Sequence, residues 1–261
     1  MVVSALARAD AAGSLPTLGG MARPDGVVIV SERYWAFAGA DGTVREGRMP
    51  QAGVRAQRIP FVRGLVRLLV ALSPLFRSTG VARPRERWLL AVAVTAPFAL
   101  VLLPDRVASL GEVSLTVVLV AWLLRGRTLF LHGAEHRAIM AAEQRRLTAT
   151  WDGHAHPTRF APRCGTNFAA LVLPIAVVLD RLWPGPPAVY APFLVAVLAL
   201  ALTMELWRVI QSGRSWRRVF LFPGLALQRL TTREPRLGET QVALTALASV
   251  LRRELDLPRT A

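Results

Sequence analysis

The chain has only four histidines, His132, His136, His154 and His156, and its one cysteine, Cys164, follows shortly after them. Imidazole nitrogen and thiolate sulfur are the usual ligands of borderline-soft divalent metals, so the grouping points to a transition-metal site, with zinc as the first candidate. His132-Gly133-Ala134-Glu135-His136 has the H-x-x-E-H order of the inverted zinc-protease motif. On a helix, His132 and His136 stack on one face, and Glu135 sits beside them at i+3. Two imidazoles would hold the metal while Glu135 acts as general base toward a water molecule. The alternative is a set of histidines that solvate one another at a membrane interface.

Distance along the chain selects the other ligands. Glu112 lies twenty residues before His132, so a continuous helix would separate the two by about 30 Å. Glu205 ends an apolar run, where an acid is a functional candidate by default; its alternative is an intrahelical pair with Arg208 at i+3. Cys164 is either a thiolate ligand or a small buried residue. The predicted site is therefore His132, His136, Cys164 and Glu205 around a divalent transition metal, with Glu135 as the catalytic base.

Hydropathy says where such a site would sit. Hydrophobic residues make up 53% of the 261, and the mean hydropathy of +0.39 is unusual for a soluble chain. Four stretches carry it: Trp88 to Pro104, Leu110 to Leu124, Asn167 to Leu179 and Ala188 to Met204. Seventeen helical residues rise about 26 Å, a little less than a hydrocarbon core of about 30 Å, so flanking residues would complete each span. Arg83, Arg85 and Arg87 precede the first stretch, Arg125, Arg127, Arg137, Arg145 and Arg146 follow the second, and Arg208, Arg214, Arg217 and Arg218 follow the fourth. The short loops on the other side hold only Arg106 and Arg181. The positive-inside rule then predicts a multi-pass protein of the bacterial inner membrane, with both termini and the 125–166 loop in the cytoplasm. Met1 to Pro16 has no apolar run of the kind a secretory signal needs.

All 32 basic residues are arginine, and 32 − 17 acidic residues gives +15. An arginine-only, Ala/Leu/Val-rich chain reflects GC-rich coding, and with no aromatic-plus-basic motif a nucleic-acid partner is not predicted. One cysteine rules out an internal disulfide. No glycine-rich phosphate loop is present.

Of the remaining segments, Gly26 to Arg48 reads as β structure, with Asp41-Gly42 as its hairpin turn. Ile59 to Phe76 reads as an amphipathic helix, with Arg63 and Arg67 on one face; it either lies on the anionic leaflet or packs on the protein. Gly238 to Leu255 reads as a docked terminal helix. The expected fold is a mainly α integral membrane protein with about four transmembrane helices, a small amino-terminal β element and a cytoplasmic carboxy-terminal helix. Its expected segments are 1–58, an interfacial helix at 59–80, a transmembrane domain at 81–210, and a cytoplasmic segment at 211–261.

FLHGAEHRAI (130–139), PRCGTNF (162–168), MELWRVI (204–210), PGLALQRLTTREP (223–235) and IPFVRGLVRLL (59–69) resemble the signature segments of the YqhQ-like bacterial membrane proteins, the domain of unknown function 1385. The resemblance runs from about residue 20 to 255 and implies a multi-span membrane protein with a metal site, in a family described as predicted metal-dependent enzymes. Two departures stand out. Leu18 to Gly26 looks like a contraction of the family's opening Gly-Gly segment, and Ala161 stands where the family tends to carry histidine. A site that used that histidine would have to be rebuilt from His154 or His156, or be lost.

The function expected is a membrane-embedded, metal-dependent hydrolase acting on a lipid or a membrane-bound peptide. The alternative is a non-catalytic scaffold or assembly factor that binds a protein partner through its terminal helix. The 228–235 segment would recognise a phosphate, close over the site, or form a turn before that helix.

Overall fold

The computed structural model describes residues 1–77, 80–100, 102–123, 125–184, 190–211 and 219–255. In chain order the elements are α1 (Val2–Ala11), β1 (Gly19–Arg23), β2 (Gly26–Val30), β3 (Tyr34–Gly39), β4 (Val44–Arg48), α2 (Val54–Arg58), α3 (Val62–Phe76), α4 (Pro84–Leu100), α5 (Asp105–Leu123), α6 (Gly126–Glu143), α7 (Leu147–Trp151), α8 (Gly165–Arg181), α9 (Ala191–Gln211), α10 (Phe222–Thr231) and α11 (Leu237–Leu255). They divide into two compact units, each discontinuous in sequence.

The first unit gathers Met1–Gln51, Leu124–Cys164 and Leu225–Ala261. Its sheet is an antiparallel meander in the order β1-β2-β3-β4. Valine, isoleucine and aromatic side chains favour the pleated conformation in β2 and β3. Gly42 takes φ +86° at the β3–β4 turn, where a side chain would be strained, and Asp41 Oδ1 accepts the Thr43 N–H at 3.0 Å. β1 lies ahead of the segment predicted as β, within the glycine-containing stretch that the sequence marks only as a contracted motif.

The core of this unit lies between sheet and helices. Leu244, Leu247 and Leu251 of α11 are fully buried with Val27, Ile29 and Ala36 of the sheet and with Leu131, Ala134 and Ala138 of α6. Alanines at 134, 138 and 141 let α6 approach its neighbours closely, and each leucine so buried contributes about 1.5–3 kcal/mol. Asp10 of α1 caps α7 from a distance: its carboxylate accepts the N–H groups of Leu147 and Thr148 at 2.9 Å each.

The second unit comprises Ala52–Leu123 and Gly165–Gly224. Within it α8 packs on α9, α3 on α9, and α4 on α5. The amphipathic α3 meets α9 at Gly64, where any Cβ would collide with Met204. Its far side leaves Leu69 and Phe76 exposed.

The expectation of about four membrane spans is corrected here. The apolar stretches do form helices, but among the described residues only Ala191–Gln211 is long and apolar enough to cross a membrane by length and composition. α4 and α8 have 17 residues each, and the first turn of α4 carries Arg85, Glu86 and Arg87. α5 has 19 but includes Arg106 and Glu112. Arg85, Arg87 and Arg106, which the sequence pattern places beside the spans, fall inside the helices and shorten their apolar part, and Glu112 lies within its own apolar stretch. With a four-stranded antiparallel sheet in the first unit, the chain is not a multi-pass protein of about four spans. Arg214, Arg217 and Arg218, which help to set the expected orientation, lie outside the described residues, as do positions 188 and 189 of the fourth stretch.

Candidate metal centre

His132 and His136 project from α6 with ring centroids 4.4 Å apart, as residues one turn apart on one face must. The 159–164 segment returns to them and brings Cys164 Sγ to 3.3 Å from His132 Nε2. One ligand atom from each of His132, His136 and Cys164 lies within 4.8 Å of the others.

Backbone carbonyls fix the chemical state of both rings. His132 Nδ1 lies 2.8 Å from the Thr231 carbonyl, and His136 Nδ1 lies 2.6 Å from the Arg159 carbonyl. A carbonyl can only accept, so each Nδ1 carries the proton and donates, which leaves the Nε2 lone pair available. Burial, and then the neighbouring His132, push the His136 pKa down to about 3; burial also lowers that of His132. Both rings are therefore neutral across the physiological range, the form that ligates metal.

His136 Nε2 is buried and has no hydrogen-bond partner among the described residues. Leaving a buried acceptor unsatisfied costs about 1–3 kcal/mol. Two imidazole nitrogens and a thiol converging on one point form the donor set of a borderline-soft divalent ion, and three protein ligands leave a fourth position open. The residues present fit such a metal.

A strap between α10 and α11 closes one side. Gly133, in the middle of the H-x-x-E-H pattern, has no Cβ because one would collide with the Arg233 carbonyl and stand 3.2 Å from Pro235 Cδ. Arg137 is buried beneath the strap and donates to the Pro157 and Pro235 carbonyls at 3.1 and 3.3 Å. Glu234 pairs with Arg137 and, at 2.9 Å, with Arg159. The 228–235 segment is thus both the link before the last helix and a cover against the histidines.

Glu135 faces β1, only 5% exposed. A Cβ at Gly20 would stand 2.6 Å from its Cγ. Burial raises its pKa to about 8. It is not a member of the His132–His136–Cys164 group. Glu205 lies in the second unit, where its carboxylate accepts from Arg63 at 2.5 and 2.7 Å, from the Phe61 N–H at 3.1 Å and from Arg208 at 3.3 Å. The i+3 pair with Arg208 exists, beside a shorter pair with a helix far away in sequence. His154 and His156 are exposed and stand outside the His132–His136–Cys164 group. Ala161 is buried, and its backbone is held by the Gln228 side chain.

Sequence reasoning missed the carbonyls of Thr231 and Arg159 and the role of Gln228. A backbone carbonyl leaves no mark in residue type. Gln228 had one signal, its place in a segment that carries the family resemblance.

The first unit is thus an α+β scaffold presenting a buried His-His-Cys group from one helix and one returning loop. A family model described as "Protein of unknown function (DUF1385)" matches residues 112–253, and the chain belongs to that family. The matched region holds the whole His132–His136–Cys164 group and the strap, but not the sheet. The chain is also 27% identical over 235 residues to the uncharacterized protein YqhQ of Bacillus subtilis (strain 168), covering 86% of this chain and 70% of that one. No solved structure matches.

Proposed function

We propose that the protein is a metal-dependent enzyme of hydrolytic type, with His132, His136 and Cys164 as ligands to a divalent transition metal, zinc first among them. The observation that carries this is His136 Nε2, a buried lone pair with no partner that faces another imidazole and a thiol. A cation held there would supply Lewis acidity toward a carbonyl or phosphoryl oxygen. The chain's own residues supply the rest. Thr231 and Arg159 hold the two rings in the ligating tautomer. Glu135, on the same helix, accepts a proton from the attacking water. At a pKa of about 8 it is protonated near neutrality, and a cation nearby would favour its carboxylate.

A thiol nucleophile activated by His132 is a second use of the 3.3 Å contact. It gives His136 Nε2 no partner, so the metal accounts for more of what is observed.

We place the enzyme at the cytoplasmic side of a bacterial inner membrane, with a lipid or membrane-bound peptide as its substrate class. The support is α9, one helix able to span by length and composition, with Arg208 in its last turn. The scaffold alternative, in which the basic surface and the terminal helix bind a partner, has less support, because the apolar face of that helix, α11, is buried in its own unit.

Metal content of the detergent-purified protein, measured by mass spectrometry beside a His132→Ala/His136→Ala variant, tests the proposal. About one equivalent in the wild type, lost in the variant, is expected. A folded wild type that holds no metal after zinc loading would overturn it.

A further inference from the structure

Gln228 is fully buried beside the segment that delivers one of the three candidate ligands. Its carboxamide oxygen accepts the Ala161 N–H at 3.0 Å, and its amide nitrogen donates to the Ala161 carbonyl at 2.9 Å. A side-chain amide that closes both bonds to one residue fixes that residue's peptide groups in position and orientation, as a neighbouring β-strand would. The segment it holds has no such strand: residues 155–164 contain no helix or strand.

Ala161 sits between the two groups this segment gives the centre. Two residues before it, the Arg159 carbonyl orients His136 at 2.6 Å; three after it, Cys164 Sγ reaches His132 at 3.3 Å. The same α10 terminus supplies the Thr231 carbonyl to His132, and Thr232 Oγ1 accepts from Arg159 Nε at 3.3 Å. Both imidazoles and the thiol thus take their geometry from contacts anchored at 228–232.

We infer that Gln228 is a positioning residue for the metal centre, setting metal affinity and coordination geometry through the Ala161 backbone. This rests on the metal reading proposed above. Outer-sphere groups that orient metal ligands typically change affinity by about 10–100-fold when removed. In this chain the group acts one step further out, on the backbone that carries both an orienting carbonyl and a ligand.

The test uses the full-length protein in detergent and cobalt(II) as the probe, because thiolate-to-cobalt charge transfer and the visible ligand-field bands report coordination directly. Gln228→Met keeps the length and loses both hydrogen bonds; Gln228→Glu keeps an acceptor for the Ala161 N–H. Ser31→Ala, which removes a buried 2.7 Å bond to Glu254 elsewhere in the same unit, controls for general destabilisation. The expected result is cobalt affinity about 10–100-fold weaker in Gln228→Met with altered bands, partial recovery in Gln228→Glu, and wild-type affinity and bands in Ser31→Ala. Wild-type affinity and bands in Gln228→Met, or equal losses in Gln228→Met and Ser31→Ala, would overturn the role of Gln228 while leaving the metal centre standing. Absence of cobalt binding by the folded wild type would remove both. If Gln228→Met does not fold, Gln228→Glu against Ser31→Ala decides, with unchanged affinity and bands in Gln228→Glu counting against the inference.

Discussion

Gly20 on β1 lies directly against the side chain of Glu135 on α6, with room for no further atom: a Cβ at position 20 would stand 2.6 Å from Cγ, 2.8 Å from Cδ and 2.7 Å from Oε1. The sheet therefore meets the candidate general base at a glycine in the contracted amino-terminal segment. Gly20→Ala is expected to displace Glu135 or bend β1, costing about 1–3 kcal/mol of stability as overpacking does. Chemical denaturation of the first variant made would check this, and an unchanged midpoint would show that the contact relaxes freely.

Gly133 makes the corresponding prediction for the strap. A methyl group there collides with the Arg233 backbone carbonyl, which cannot swing aside as a side-chain end could. In Gly133→Ala the strap should lift, weakening the Thr231 carbonyl's hold on His132 Nδ1. Weaker zinc binding and earlier proteolysis between 229 and 236 are expected. Limited digestion followed by mass spectrometry reads the second effect without needing the metal.

Metal should stabilise the folded chain by mass action. At a free zinc concentration one hundred times the dissociation constant, about 2.7 kcal/mol is expected for the wild type. None is expected for His132→Ala/His136→Ala. Thermal melts across a zinc titration, with chelator as the reference, would reveal a concentration-dependent rise in one protein and a flat line in the other.

The buried acid and histidines give the metal-free protein a defined pH response. Glu135 has a folded pKa of about 8, raised by burial from an ordinary value of 4.5, so the unfolded chain releases this proton first. Its contribution is fully favourable below pH 4.5 and is lost as pH rises toward 8. His136 behaves in the opposite sense: lowered from 6.5 to about 3, it favours folding above pH 6.5 and loses that contribution as pH falls toward 3. Glu135→Gln should therefore melt above the wild type near pH 8.5, with the gap closing toward pH 5. Melting curves in chelator at the two pH values suffice, and a gap that widens on acidification would contradict the burial of Glu135.

The hydrophobic face of α11, the β character of 26–48 and the helix carrying H-x-x-E-H were legible in the chain because each depends on local period and residue type. So was the pairing of His132 with His136, which follows from 3.6 residues per turn. The number of candidate spans was not legible: apolar runs show where a helix is greasy, while the charges at 85–87 and 106 entered the helices themselves. Only the tertiary structure decided which acid goes where. Glu205 carries the same residue type as a ligand would, but Arg63 reaches it from another helix and occupies its oxygens. His154 and His156 share the residue type of His132 and His136, yet they are exposed to solvent. Residue type and spacing determine which groups could bind a metal. Long-range backbone contacts, such as the carbonyls of Arg159 and Thr231 on the two imidazoles, determine which of them converge, because a carbonyl is common to every residue and its aim is set by the whole fold.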